Sequence, residues 1–564
     1  MVRKWWQKAV FYEIYCKSFQ DSDGDGLGDL KGVLSRLPML KELGIDCIWF
    51  TPIYASPQVD NGYDVADYYS IEPAYGTLED FRQVLDTAHS LGIRVIMDQV
   101  LNHSSDECVW FQESRKSRDN PYRNYYIWQP PKADGSPPNN WGNYFREGDG
   151  SAWTFDETTG EYYLHQYSIK MPDLNWDYPP LRQEIYAMLR WWLDMGVDGF
   201  RLDVFTRLKK PAGFPDSGLT PDPRLDRNGF VVDKNICTCA EGIHEILRDM
   251  NENVFSRYPN CMTVGEGAGI YPENAAEYLA PYRRELDSAY HFELAGRSKP
   301  TLPADRFRDV HKRWFTTMSQ GVWPSNYLSN HDSRRQVSCY GDDGRYRKAS
   351  AKLLAVLSCT TPGNVYLYQG EEIGMTDVAF DSIADYNCRY TLGDYHSMVE
   401  NGYSPQEALE ELAPRSRDNA RTPYQWDGSE HAGFTIGKPW MKVNPNYPAI
   451  NLEADLADPD SIFRFYQKLL KLRKENPAIY EGGLEFFLED HPSMLVYLRA
   501  CPEQTLLVIC NKSGETVPFL LPERLTDGSW KRLLTNREDT VPSLDVRRPW
   551  LPWEAEIYAS LNVS

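Results

Sequence analysis

Eight apolar, β-rich segments recur along the first 375 residues, usually after an amphipathic helical pattern that ends in Gly, and this rhythm constrains the fold more than any other feature. The segments are AVFYEIYCKSF (9–19), IDCIWFTPIY (45–54), IRVIMDQVLN (93–102), VDGFRLDVF (197–205), MTVGEGAG (262–269), SAYHFEL (288–294), WPSNYLSNHD (323–332) and NVYLYQGEEIG (364–374). Near-continuous apolar strands need cover on both faces, and alternation with helices makes the sheet parallel. Eight such units predict an α/β chain built on a (β/α)8 TIM barrel. A doubly wound open sheet is disfavoured because no Gly-rich phosphate fingerprint follows the first strand. Between strands, TLEDFRQVLDTAHSLG reads as a helix capped by Thr77 with Asp80, apolar at Phe81, Val84, Leu85 and Ala88, and ended by Gly92. The helix before strand two is less regular, and Pro38 predicts a kink or break in it.

Two stretches break the rhythm. Residues 104–173, rich in Pro, Asn, Trp and Tyr, predict a subdomain inserted after strand three over the C-terminal mouth of the barrel. Residues 375–460 are long and irregular, residues 461–479 read as a closing helix, and short alternating strands follow from about 485. The expected domains are therefore a barrel of 1–103 and 174–484, an inserted subdomain of 104–173, and a C-terminal β-sandwich of 485–564.

A net charge of −21 argues against nucleic acid or an anionic membrane as partner. The 11 Cys are scattered, with only Cys237 and Cys239 close together, which is neither a disulfide framework nor a zinc spacing. No signal peptide or transmembrane run is read, so the expectation is a cytoplasmic protein, with a monomer favoured.

In a barrel, the chemistry sits at the C-terminal strand ends. Strand three ends in Asp98, Asn102 and His103, strand four in Arg201 and Asp203, strand five in Glu266, and strand seven in Asn330, His331 and Asp332. Each acid alone reads equally well as a structural ion pair. Four carboxylates, two His and one Arg converging on one mouth read as a site, with no Cys, metal-type His cluster or Ser–His pair among them. Paired carboxylates are what glycosidic cleavage needs: one attacks the oxocarbenium-like centre and the other protonates the leaving oxygen. An Arg beside the nucleophile would keep it ionised, and an acid shielded from cations would stay protonated.

DQVLNH (98–103), GFRLDV (199–204), VGEG (264–267) and SNHD (329–332) resemble the four signature regions of the α-amylase superfamily, glycoside hydrolase family 13. The likeness is to its oligo-1,6-glucosidase, dextran glucosidase and α-glucosidase group, with DNGYDVADY (60–68), NNWGNYF (139–145) and SRDNARTPYQWD (416–427) in support. It implies Asp203 as nucleophile, Glu266 as general acid/base and Asp332 as transition-state stabiliser, in a double displacement with retention. It further implies that Arg201 holds Asp203, that His103 and His331 bond the glucose ring, and that Tyr63 stacks on it. Asp60 and Arg417 would close the pocket behind a terminal glucose, making the enzyme exo-acting on small oligosaccharides. Val204 after the nucleophile implies α-1,6 preference. The alternatives are an α-1,4-preferring glucosidase or a trehalose-6-phosphate hydrolase, and, remotely, a non-catalytic transporter heavy chain. Departures from the group are MPDLN (171–175) for QPDLN and Gly267-Ala268 where Met-Pro is usual. ELAGRSKP (293–300) lacks the sucrose-isomerase motif, and the RLDR at 224–227 is read as coincidence.

DSDGDGLGDL (21–30) imitates a calcium-sensor loop, but Gly32 stands where the bidentate Glu of such a loop belongs. It resembles the metal loop after the first barrel strand of the same group, which implies Asp21, Asp23, Asp25 and Asp29 side chains and the Leu27 carbonyl as ligands. Hard oxygen donors in a flexible loop suit calcium, in a structural role. No organic cofactor is expected.

Overall fold

The computed structural model describes residues 4–294, 301–526, 530–537, 544 and 547–560. Its central sheet is parallel and eight-stranded: Val10–Ile14, Cys47–Phe50, Arg94–Gln99, Gly199–Leu202, Met262–Glu266, Ser288–Tyr290, Ser325–Asn326 and Asn364–Tyr368. Numbered along the chain, these pair in the order 6-5-4-3-2-1-8-7. Each strand falls inside one of the eight segments expected. Strands six and seven share no ladder among the described residues. Their seam is bridged by Ser288, whose hydroxyl meets Ser325 Oγ at 2.7 Å and donates to the Trp323 carbonyl at 2.9 Å. The result is a nearly closed (β/α)8 barrel.

The helix Leu78–Ser90 has the expected capping box, with Thr77 Oγ1 accepting from Asp80 N at 3.1 Å and Asp80 Oδ2 accepting from Thr77 N at 2.9 Å. Of the expected kink or break, the break does not occur, because the helix Leu30–Leu43 runs on through Pro38. Pro38 is exposed, so the carbonyl it leaves without a donor can turn to water.

Within 104–173, a three-stranded antiparallel sheet forms from Trp128–Gln129, Glu161–Leu164 and Trp153–Asp156. It is tied to the excursion after strand four. Asn140 exchanges hydrogen bonds with Ser217, Trp141 Nε1 donates to the Pro215 carbonyl at 2.8 Å, and Trp141 bridges Val231. Residues 205–242 therefore help build the mouth, a contribution that the irregular sequence there did not announce.

The C-terminal sheet is antiparallel, in the spatial order Gly483–Phe487, Met494–Cys501, Gln504–Asn511, Ala555–Ser560, Trp530–Thr535. Period-two alternation splits its faces. Leu495, Tyr497, Leu506 and Val508 join the barrel core, while Met494, Val496, Leu507 and Ile509 pack beneath Phe519, Leu521 and Trp550. No helix among the described residues is long and apolar enough to cross a membrane.

Candidate active site

Barrel register explains why distant residues meet. Asp98 is level with Arg201 on the neighbouring strand, and Leu202 is level with Gly265, so the next residues, Asp203 and Glu266, stand side by side at the strand ends. Arg201, fully buried between them, donates through Nη1 to Asp98 Oδ1 at 2.9 Å and to Asp203 Oδ1 at 2.6 Å. Its Nη2 donates to Glu266 Oε2 at 2.8 Å. None of the three acids is shielded from this cation, because one guanidinium serves them all.

Three carboxyl groups on one cation cannot all ionise cheaply in a buried site. Burial pushes Asp203 well above the usual carboxylate range, with Arg201 pulling it down and Glu266 and Asp98 adding repulsion. Burial likewise raises Asp98 to about 6. Burial and mutual repulsion therefore both oppose full ionisation of Asp98 and Asp203, and Arg201 works against them.

Asp332 is the most open of the acids. Arg421 Nη2 donates to its Oδ1 at 2.5 Å and Arg417 Nη1 lies 3.4 Å away. Arg417 Nη2 donates to Asp60 Oδ1 at 2.7 Å, and this pair is buried. The Arg417 guanidinium also lies 4.9 Å from the Tyr390 ring, and its Nε donates to Cys388 Sγ at 3.1 Å.

A polar chain runs behind the acids. Tyr63 stacks on His331 with ring centroids 5.3 Å apart, and its hydroxyl donates to Asp98 Oδ2 at 2.9 Å and meets His331 Nε2 at 2.7 Å. His331 Nδ1 faces Glu13 at the end of strand one. Burial lowers His331 to about 3, so its imidazole is neutral at pH 7, and burial raises Glu13 well above its usual range. Burial also lowers His103 to about 4, and its Nε2 donates to the Tyr63 carbonyl at 3.1 Å.

These groups open on a cavity of about 470 Å³ whose wall includes Asp60, Tyr63, His103, Asp203, Val204, Glu266, Asp332 and Arg417. Asp98, Arg201 and His331 stand behind that wall. Val204 is held at φ 34°, a strained conformation for a β-branched residue, which turns the chain sharply after Asp203. Tyr144, Tyr167, Arg207, Leu225, Phe292 and Tyr390 complete much of the wall and were not singled out from sequence. Leu225 belongs to the RLDR at 224–227, which therefore lies at the mouth. Most of ELAGRSKP (293–300) lies outside the described residues. Glu13 and Arg421 were also missed, although Glu13 carries the same signal as the acids that were found, a carboxylate within an apolar strand.

In the connection between strand one and the helix Leu30–Leu43, Asp21, Asp23 and Asp29 each bring a carboxylate oxygen within 4.8 Å of the others. Asp25 stands outside this group, and its Oδ1 accepts from Leu27 N at 2.7 Å. Asp29 also caps the following helix, accepting from Gly32 N at 2.7 Å. Three converging acids with no cation among their side-chain partners in the described residues fit a hard, oxygen-binding ion.

Residues 13–482 match the α-amylase catalytic domain. Over 569 residues the chain is 46% identical to the oligo-1,6-glucosidase of Parageobacillus thermoglucosidasius, with 99% of both chains covered. Among solved structures, trehalose-6-phosphate hydrolase of Bacillus licheniformis superposes with a TM-score of 0.90 at 42% identity, over 99% of this chain and 100% of that one. The trehalulose synthase of Pseudomonas mesoacidophila MX-45 gives 0.91 at 39%, again over 99% and 100%. With full-length relatives at this identity and a matched catalytic domain spanning most of its length, the chain is a glycoside hydrolase and belongs to the α-amylase family, glycoside hydrolase family 13.

Proposed function

We propose that this chain is a retaining, exo-acting α-glucosidase that releases glucose from the non-reducing ends of short α-1,6-linked glucosides. The observation that carries the reading is the level placement of Asp203 and Glu266 on adjacent strands, joined through Arg201. Neighbouring strands lie ~4.8 Å apart, which suits the ~5–5.5 Å separation of carboxyl groups in retaining enzymes better than the wider inverting spacing. Asp203 attacks the anomeric carbon while Glu266 protonates the departing oxygen. Glu266 then takes a proton from the water that releases the glucosyl group.

Asp332, held by Arg421 and Arg417, would bind sugar hydroxyls as the ring distorts. The buried Asp60–Arg417 pair beside it supports an exo mode, since a charge pair locked at the pocket wall leaves room for one terminal glucose. The α-1,6 preference rests on Val204 and on the full-length likeness to proteins named oligo-1,6-glucosidase. A structural calcium ion held by Asp21, Asp23 and Asp29, with Asp25 and the Leu27 carbonyl completing the shell, would staple the first barrel turn. Cytoplasmic residence fits the 11 free thiols.

The test is glucose release from isomaltose, maltose and trehalose by the purified enzyme and by Asp203→Asn. The reading requires hydrolysis with retained configuration, isomaltose ahead of maltose in kcat/KM, and loss of turnover in the variant. A preference for maltose would remove the inference from Val204, and an active Asp203→Asn enzyme would remove the nucleophile.

A further inference from the structure

Arg207 lies four residues beyond Asp203, on the short turn Phe205–Arg207 that follows the strained Val204. It lines the active-site cavity yet is only 8% exposed. Its Nη1 donates to the Tyr167 hydroxyl at 3.2 Å and its Nη2 to the Lys234 carbonyl at 3.1 Å. The guanidinium sits 4.8 Å from the centre of the Tyr144 ring, and its Nε has no hydrogen-bond partner. Among the described residues no carboxylate pairs with it.

The other arginines around this cavity are each answered by an acid. Arg201 has Asp98, Asp203 and Glu266, and Arg417 has Asp60 and Asp332. Arg421 has Asp332, Arg146 has Asp394, and Arg415 has Glu411. In a chain of net charge −21, counter-ions are not scarce. A buried cation without one is costly, and stacking on Tyr144 offsets only part of that cost. Lys234, whose carbonyl holds Arg207 in place, also lines the cavity and adds a second cation from the same excursion.

A neutral sugar hydroxyl would satisfy a donor but would leave the charge uncompensated. A phosphate or carboxylate would satisfy both, and guanidinium geometry matches either one. Resting on the glucosidase reading above, we propose that Arg207 is a specificity residue, and that the leaving-group side of the cavity accepts an aglycone carrying an anionic group, a sugar phosphate or a sugar acid. Asp203 and Glu266 would cleave such a glucoside by the same displacement, with the anion serving only for recognition. The preferred leaving group is then an oxidised or phosphorylated hexose, supplied by a sugar-oxidising or sugar-phosphorylating reaction.

Two substrate pairs separate charge from linkage: trehalose with trehalose 6-phosphate, and isomaltose with its aldonic acid, α-1,6-glucosyl gluconate. The quantity read is the anionic-to-neutral ratio of kcat/KM within each pair, in the wild type, Arg207→Met and Arg207→Lys. The expected ratio in the wild type is at least about tenfold in favour of the anion in one pair, and that pair identifies phosphate or carboxylate as the group recognised. Arg207→Met should collapse the ratio about tenfold and Arg207→Lys should restore part of it. Inorganic phosphate or gluconate should inhibit the wild type competitively, a readout that stands even if Arg207→Met does not fold. Equal ratios in wild type and variants, or a wild type that disfavours both anions, would overturn the proposal while leaving the glucosidase reading intact. Absence of glucose release from every substrate would overturn both.

Discussion

Arg417 Nε donates to the sulfur of Cys388 at 3.1 Å, inside the wall that also carries Asp60 and Asp332. The arginine is fixed on three sides: by Asp60 through Nη2, by the Tyr390 ring, and by this thiol. A thiol is a weak acceptor, but it fills the space behind the guanidinium and keeps its donor fork aimed at the two acids. Cys388→Ala should free the Nε and let the fork swing. The expected result is a KM for isomaltose raised about fivefold, roughly 1 kcal/mol, with kcat changed less. Cys388→Ser should recover most of the loss, since it restores an acceptor of similar size.

Glu266 shares Arg201 with Asp203, so an amide in its place leaves the nucleophile's own hydrogen bond intact. Glu266→Gln should lower kcat on isomaltose by about 10²–10⁴-fold, the usual contribution of a positioned general acid. The loss on an aryl α-glucoside should be much smaller in the first step, because a phenolate leaves without protonation. Steady-state and single-turnover rates on both substrates check this. Equal losses on the two would remove the acid role.

The barrel was readable from sequence because a strand covered on both faces must be apolar along its whole length, and eight such runs leave few architectures. The acids were readable because carboxylates such as Asp98 and Asp203 stand out in those runs. The same signal also marks Glu371 and Glu372 after strand eight, which the structure places in the core rather than in the cavity wall. There Glu372 accepts from Tyr12 at 2.7 Å and from Tyr424 at 2.6 Å, partners that lie hundreds and tens of residues away. Nothing local distinguishes such an acid from a catalytic one. Arg207, Leu225 and Cys388 come from irregular segments where periodicity carries no information, so their place on the wall emerges only once the excursions are docked.

The loop 21–29 is pinned at several points without any ion. Asp21 Oδ1 accepts from Asp23 N and Gly24 N at 2.9 and 2.8 Å, and its Oδ2 accepts from Gly26 N and Thr435 Oγ1 at 2.9 and 2.5 Å. Those bonds hold its carboxyl below the usual range against the penalty of burial. Repulsion among Asp21, Asp23 and Asp29 remains for a cation to relieve. EDTA should therefore lower the melting temperature by several degrees, and calcium should restore it, in line with binding to the folded state alone. The kcat of enzyme that stays folded should not change. A kcat that follows calcium at constant melting temperature would refute the structural role, and a chelator without effect on melting would refute the ion.

Glu371 makes the last prediction, about pH. It is fully buried, it accepts from Ser329 Oγ at 2.5 Å, and burial raises it from 4.5 to about 8. An acid whose folded pKa lies above its unfolded value binds its proton more tightly in the folded state. Its contribution is therefore present in full below pH 4.5 and is lost as pH climbs through about 8. Glu371→Gln keeps the acceptor for Ser329 and cannot ionise. The variant should melt near the wild-type temperature at pH 5 and above it at pH 9, and the gap should open between those values. Thermal melts of the two proteins across that range check the sign, and a gap that closes as pH rises would show that Glu371 is ionised in the folded protein.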